Sequence, residues 1–95
     1  WRTPYAFTIS EVRASLTTAA TGAIFVVDIN QNGVSILSTK LTIDISETTS
    51  ETAATPPVIL TSALTDDSII TIDIDTIGST NSGQGLKVTI IGNET

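Results

Sequence analysis

The sequence predicts an all-β domain, an antiparallel β-sandwich of about seven or eight short strands, and three observations carry that reading. The 95-residue chain is rich in Ile, Val and Thr, whose branching at Cβ restricts χ1 and suits a pleated strand better than a helix. Apolar residues recur at every second position in several segments, the period with which a strand turns its side chains to one face. Gly, Asn, Asp and Pro separate those segments, and no stretch of useful length carries a helical period.

Taken in order, Tyr5, Phe7 and Ile9 alternate with Ala6, Thr8 and Ser10, and the apolar set resumes at Val12, Ala14 and Leu16 with its phase moved by one residue. One extra residue exchanges the two faces of a strand, so a β-bulge is expected near Ser10 and Glu11. Residues 23–29 are apolar at nearly every position, as in a strand covered on both faces. They run into Asn30-Gln31-Asn32-Gly33, where Asn and Gly tolerate positive φ and a hairpin turn is expected. The return strand starts at Val34 and passes through Ile36 and Leu37. Leu41, Ile43 and Ile45, alternating with Thr42, Asp44 and Ser46, predict a strand with one wet face. Residues 48–57 have no periodic apolar set and end in two prolines, which makes them the expected longest loop. Val58, Leu60 and Leu64 predict a short edge strand before a turn at Asp66-Asp67. Ile70, Ile72 and Ile74 alternate with Thr71, Asp73 and Asp75, and their expected partner is Leu86, Val88 and Ile90 across the polar loop 78–85. No repeat or composition break divides the chain, so one domain is expected over residues 1–95. From the start at Trp1 and the absence of Met, a processed or excised piece of a longer protein is expected.

Composition excludes more chemistry than it suggests. Ten acidic residues against four basic ones give a formal charge of −6, which repels phosphate backbones and anionic lipid headgroups. Arg2, Arg13, Lys40 and Lys87 are scattered, so no nucleic-acid partner is expected. No apolar run approaches the ~20 residues that span a bilayer, and no membrane insertion is expected. Without Cys there are neither disulfides nor thiolate metal sites, and without His the imidazole-based catalytic arrangements are gone. No enzyme activity and no cofactor are therefore expected. Asp73 and Asp75, two apart on a strand, share a face and form the obvious carboxylate pair for glycosidase-type work, but that face lies opposite Ile72 and Ile74 and reads as solvated. Asp66, Asp67, Asp73 and Asp75 lie close enough in sequence to suggest calcium, which takes six to eight oxygen ligands; no loop follows an EF-hand spacing, and no metal site is assigned.

Of the aromatic residues, Tyr5, Phe7 and Phe25 fall in phase with the core, while Trp1 is either exposed or packed against a neighbouring subunit. Trp1, Tyr5 and Phe7 make up a candidate inter-subunit segment. The glycines at 78, 83 and 85 do not match a dinucleotide-binding spacing, and no helix follows them. The polar loops supply candidate recognition residues, Asn30, Gln31 and Asn32 in one and Ser79, Thr80, Asn81, Ser82 and Gln84 in another.

The stretches YAFTI at 5–9, VRASL at 12–16, FVVDIN at 25–30, SILSTKLTID at 35–44, DDSIITIDID at 66–75 and GLKVTIIG at 85–92 resemble a recurring β-domain of tailed-bacteriophage virion structural proteins, often at the C-terminal end of fibre-like or other virion surface proteins. The resemblance covers most of the chain and rests on strand and turn patterns, so no functional residue is carried over. It implies a jelly-roll-like sandwich on the virion surface, in a homo-oligomer and in contact with other virion proteins. Its implied role is a tail-fibre or adhesin-like module for host attachment, touching a host-surface glycan or protein through its loops. The alternative is a capsid decoration or tail-assembly subunit whose N-terminal segment adds to a neighbour's sheet edge, which satisfies otherwise unpaired backbone groups. A carbohydrate-binding module is the lesser reading, because aromatic residues are few.

Overall fold

The computed structural model describes residues 1–94, which are all-β with one 3-10 turn at Ser50–Thr52. The strands are β1 (Phe7–Ser15), β2 (Phe25–Gln31), β3 (Val34–Ser35), β4 (Leu37–Thr39), β5 (Leu41–Ile43), β6 (Val58–Ile59), β7 (Ala63–Leu64), β8 (Ile70–Thr76) and β9 (Lys87–Glu94). Every pairing is antiparallel.

In the first sheet β1 lies between β7 and β9. The register along β9 shifts between Ile9, opposite Gly92, and Glu11, opposite Ile91. That is the expected bulge, and it brings Val12 and Ala14 onto the buried side already held by Phe7 and Ile9. The second sheet is built around β2. Strand β8 pairs along residues 26–31 of β2 and so takes one of its edges, leaving β5, at Phe25 to Val27, and β3, at Asn30 and Gln31, in tandem on the other. Strands β4 and β6 form a small third pair. The sheets share one hydrophobic cluster, in which Val27, Ile29, Leu41 and Ile43 are fully buried and Phe25, Leu64 and Ile70 nearly so.

Several expectations are corrected. Strands β8 and β9 do not form a hairpin; β8 joins β2 and β9 joins β1, and the loop between them passes from one sheet to the other. That loop is fixed on the way by Thr17 and Thr18, whose N–H groups donate to the Gln84 carbonyl at 2.8 and 3.1 Å, and by Thr21, which donates to that of Asn81 at 3.0 Å. Tyr5 precedes the first ladder residue, Phe7, so the alternation does not extend to it, and it is 47% exposed with its ring edge-on to Phe7 at 6.2 Å. The strand at Leu41 stops at Ile43: Ser46 has φ +65° and Glu47 N–H donates to Asp44 at 3.0 Å, a turn that leaves Ile45 in solvent. The segment from Val58 to Leu64 is two short strands on different partners, with Leu60 exposed between them. The hairpin turn narrows to Asn32-Gly33, both at positive φ, because Asn30 and Gln31 belong to β2.

Candidate functional site

The unusual region of the molecule is the outer edge of β8. Residue parity decides which backbone groups reach that edge. Asn32 N–H donates to Ile69 C=O at 2.8 Å, so residues 69, 71 and 73 turn their backbone groups toward β2. Residues 68, 70, 72 and 74 therefore turn theirs away. Two of these are met by the N-terminal segment: Trp1 and Ile70 exchange both backbone bonds, at 3.0 and 2.6 Å, and Thr3 N–H donates to Ser68 C=O at 2.9 Å. Arg2 lies between them, bridged to Ile69. Beyond Trp1 no strand among the described residues pairs with this edge, and alternation leaves the N–H and C=O of Ile72 and Ile74 directed to it.

The side chains on the same line follow the backbone. Ile70 is 3% exposed and belongs to the core, whereas Ile72 and Ile74, on the same face, are 40% and 50% exposed. Across from them β9 turns Val88 and Ile90 inward. Between the two edges lies a cleft of about 670 Å³, lined by Trp1, Ile70, Ile72, Val88 and Ile90, with Thr71 and Asp73 beside them.

The N-terminal segment is pinned by a buried polar network. Thr3, 2% exposed, donates from its hydroxyl to Thr65 C=O at 2.7 Å and accepts Ser68 N–H at 2.8 Å. The Ser68 hydroxyl in turn donates to Gln31 Oε1 at 3.1 Å, and Thr65 N–H donates to the same oxygen at 3.0 Å. Gln31 thus ties the segment together through its Oε1.

The remaining sequence candidates separate. Asn30 is 8% exposed and donates to Asp73 Oδ2 at 2.6 Å, and Asn32, though exposed, accepts Ile69 N–H through its side chain at 2.9 Å. Asn30 is thus committed to Asp73, and Asn32 is engaged through its Oδ1. Ser79, Thr80, Asn81, Ser82 and Gln84 are exposed on the loop that joins the sheets. Trp1 and Phe7 pack edge-on at 5.9 Å, with Phe7 buried and Trp1 63% exposed. The acidic residues are apportioned to different partners: Asp67 to Arg2 at 3.3 Å, Asp75 to Lys40 at 2.6 Å, Asp73 to Asn30. The hydrogen bond to Asp75, with its charge, raises the Lys40 pKa above its ordinary value. Among the described residues no group of three or more carboxylates converges as a metal site. On the far side, Arg13 bridges Glu11 and Glu51, both at 3.0 Å, and its hydrogen bond holds the Glu11 carboxyl below the ordinary value.

Sequence reasoning missed Ile72, Ile74, Val88 and Ile90 as a surface because their spacing is that of core residues. A signal was present in Asp73 and Asp75, since charges interleaved on an apolar strand are a device of unpaired sheet edges. Comparison with known protein families, curated proteins and solved structures finds no match to this chain.

Proposed function

We propose that the chain is a structural assembly module of a tailed-bacteriophage virion, a sandwich of jelly-roll type that is held among other virion proteins by its β8–β9 side. The observation that supports this most is the β8 edge, on which outward backbone groups and half-exposed isoleucines continue a ladder that Trp1 and Thr3 have already begun. An edge of this kind is a template for another strand, and strand addition gives affinity through main-chain bonds while the alternate side chains give specificity. Catalysis has no comparable support, because Asp73 and Asp75 engage different partners. Purified virions labelled with an antibody to the chain are expected to carry it at one fixed position on each particle. Particles without label overturn the virion setting.

A second reading, host attachment by a tail-fibre or adhesin-like tip, draws on the 78–85 loop. Its backbone bonds to residues 17–21 hold Ser79, Thr80, Asn81 and Ser82 out in a fixed arrangement, which lowers the ordering cost of a contact. Soluble chain that competes with virions for host cells supports this reading, and an Asn81→Ala chain that competes equally well removes the loop from it.

A further inference from the structure

We infer that Asn32, at the tip of the β2–β3 hairpin, is a site of spontaneous deamidation, and that its isoaspartyl product uncouples the hairpin from the start of β8. This goes beyond the assembly reading and does not rest on it.

Deamidation needs a backbone nitrogen free to attack and a carboxamide free to lose ammonia, and the hairpin tip supplies both. Asn32 and Gly33 are exposed and form the two-residue turn, at φ +50° and +84°. A Cβ at Gly33 would meet nothing within 4 Å, and its N–H lies outside both ladders with no partner among the described residues. The Asn32 side chain is held by one atom: Oδ1 accepts Ile69 N–H at 2.9 Å, while Nδ2, the leaving group, has no partner among the described residues. The Ile69 N–H therefore sits on the oxygen that gathers charge when Cγ becomes tetrahedral.

The reaction balances with water and hydroxide alone. Gly33 N gives up its proton to hydroxide and attacks Asn32 Cγ; the bond from Cγ to Nδ2 breaks, ammonia leaves and a succinimide ring closes. Water then opens the ring at one of its two carbonyls. Breaking the new bond between Gly33 N and Cγ leaves aspartate. Breaking the original bond between Gly33 N and the Asn32 carbonyl carbon leaves isoaspartate, whose main chain runs through Cβ and Cγ. Nothing is oxidised or reduced, and either product has exchanged NH2 for OH.

The two products act differently on the fold. Aspartate keeps an oxygen for Ile69 N–H. Isoaspartate lengthens a turn that the register of Gln31 opposite Val34 closes with two residues, and it draws the Cγ carbonyl into the main chain, away from Ile69. Ile69 is also the residue bridged to Arg2 and next to the docking point of Trp1, so the tie that is lost lies where the N-terminal segment meets β8.

The remaining asparagines are poorer sites. Asn30 is 8% exposed, its Nδ2 donates to Asp73, and Gln31 follows it within β2. Asn81 is bonded in both directions to Thr21 and precedes Ser82, whose Cβ crowds the attacking nitrogen. Asn93 lies within β9, opposite Thr8, and precedes Glu94.

The test holds the intact chain at mildly alkaline pH, because the attacking nitrogen must lose its proton, and follows its peptides by mass spectrometry with fragmentation that separates isoaspartate from aspartate. A sample unfolded in urea supplies the clock. The folded chain is expected to convert at Asn32 about tenfold faster than at Asn30, Asn81 or Asn93, the ratio given by a barrier lower by about 1.4 kcal/mol. In the purified isoaspartyl chain the Ile69 amide is expected to exchange with solvent about tenfold faster, the scale of one modest hydrogen bond, while the amide of Asp73, facing β2, is unchanged. A freshly purified Asn32→Asp chain keeps the original rate at Ile69. Gly33→Ala slows the conversion; if its positive φ prevents folding, the comparison among asparagines of the unmodified chain decides alone. No conversion at Asn32 once the unfolded sample has converted, equal or faster conversion at another asparagine, a folded Gly33→Ala chain that converts as fast, or an isoaspartyl chain whose Ile69 amide exchanges no faster than that of Asn32→Asp each overturns the inference.

Discussion

Two strands with the same alternation meet opposite fates. In β5, Leu41 and Ile43 flank a threonine and are fully buried; in β8, Ile72 and Ile74 flank an aspartate and are 40% and 50% exposed. Period two tells which side chains share a face, and both strands obey it. It does not tell whether anything lies over that face. Burial of β5 comes from β1 and the 3-10 turn packed across it, whereas β8 and β9 are the last strands of their sheets and diverge around a cleft. The closed side therefore carries the buried core, and the open side leaves Ile72 and Ile74 half in solvent.

Substitution at matched isoleucines is the strongest way to break that comparison. Ile29→Ala, at the centre of β2 with no exposure, is expected to cost about 2–5 kcal/mol, the transfer and cavity terms of a buried aliphatic residue. Ile74→Ala is expected to cost no more than about 1 kcal/mol, because water already reaches half of the side chain. Urea unfolding measures both. A loss at Ile74 as large as that at Ile29 means that the cleft closes in solution and that the two sides do not differ.

A middle-sized effect separates the pinned part of the β8 edge from its unpaired part. Thr3→Val keeps the shape of the side chain but removes the bond to Thr65 C=O and leaves Ser68 N–H without its acceptor, at a cost of about 1–3 kcal/mol. Trp1 emission is expected to move to longer wavelength as the segment leaves Ile70. Unchanged emission with lowered stability shows that the backbone bonds of Trp1 hold the segment without Thr3.

The parts of the fold that were legible in the sequence are those set by near neighbours. The phase change at Ser10 and Glu11 announced the bulge, the apolar run interrupted only by Asp28 announced β2 as covered on both faces, and the stretch from Asn30 to Gly33 announced the hairpin. What stayed hidden is set by distant partners. Nothing local says that β8 pairs with β2 rather than β9, or that Asn30 and Gln31 turn inward to Asp73 and Ser68. Gly78 is a further case: it begins the expected polar loop, but a Cβ there collides with the Asn81 carbonyl oxygen and lies 2.7 Å from that of Thr21, so the glycine permits a close crossing of two stretches of backbone. The candidate site was legible only as an anomaly, carboxylates interleaved with isoleucines, whose meaning depends on β8 lying at an edge.

The smallest expected effect distinguishes the two sides by the direction of its pH dependence. Lys40 on Asp75 belongs to the open side, and its pKa is raised in the folded chain, first by that hydrogen bond and then by the charge of Asp75. Its contribution is complete below the ordinary lysine value and disappears as pH rises through the folded one. Glu11 on Arg13 belongs to the closed side, and its pKa is lowered, first by the hydrogen bond from Arg13. Its contribution is complete above the ordinary carboxylate value and disappears as pH falls through the folded one. Lys40→Met is therefore expected to flatten the alkaline limb of a Tm against pH profile and Glu11→Gln the acid limb, each leaving the other limb in place. Both pairs are exposed, so these shifts are the smallest of the series, and about 1 M salt is expected to erase them, since it shortens the screening length to about 3 Å.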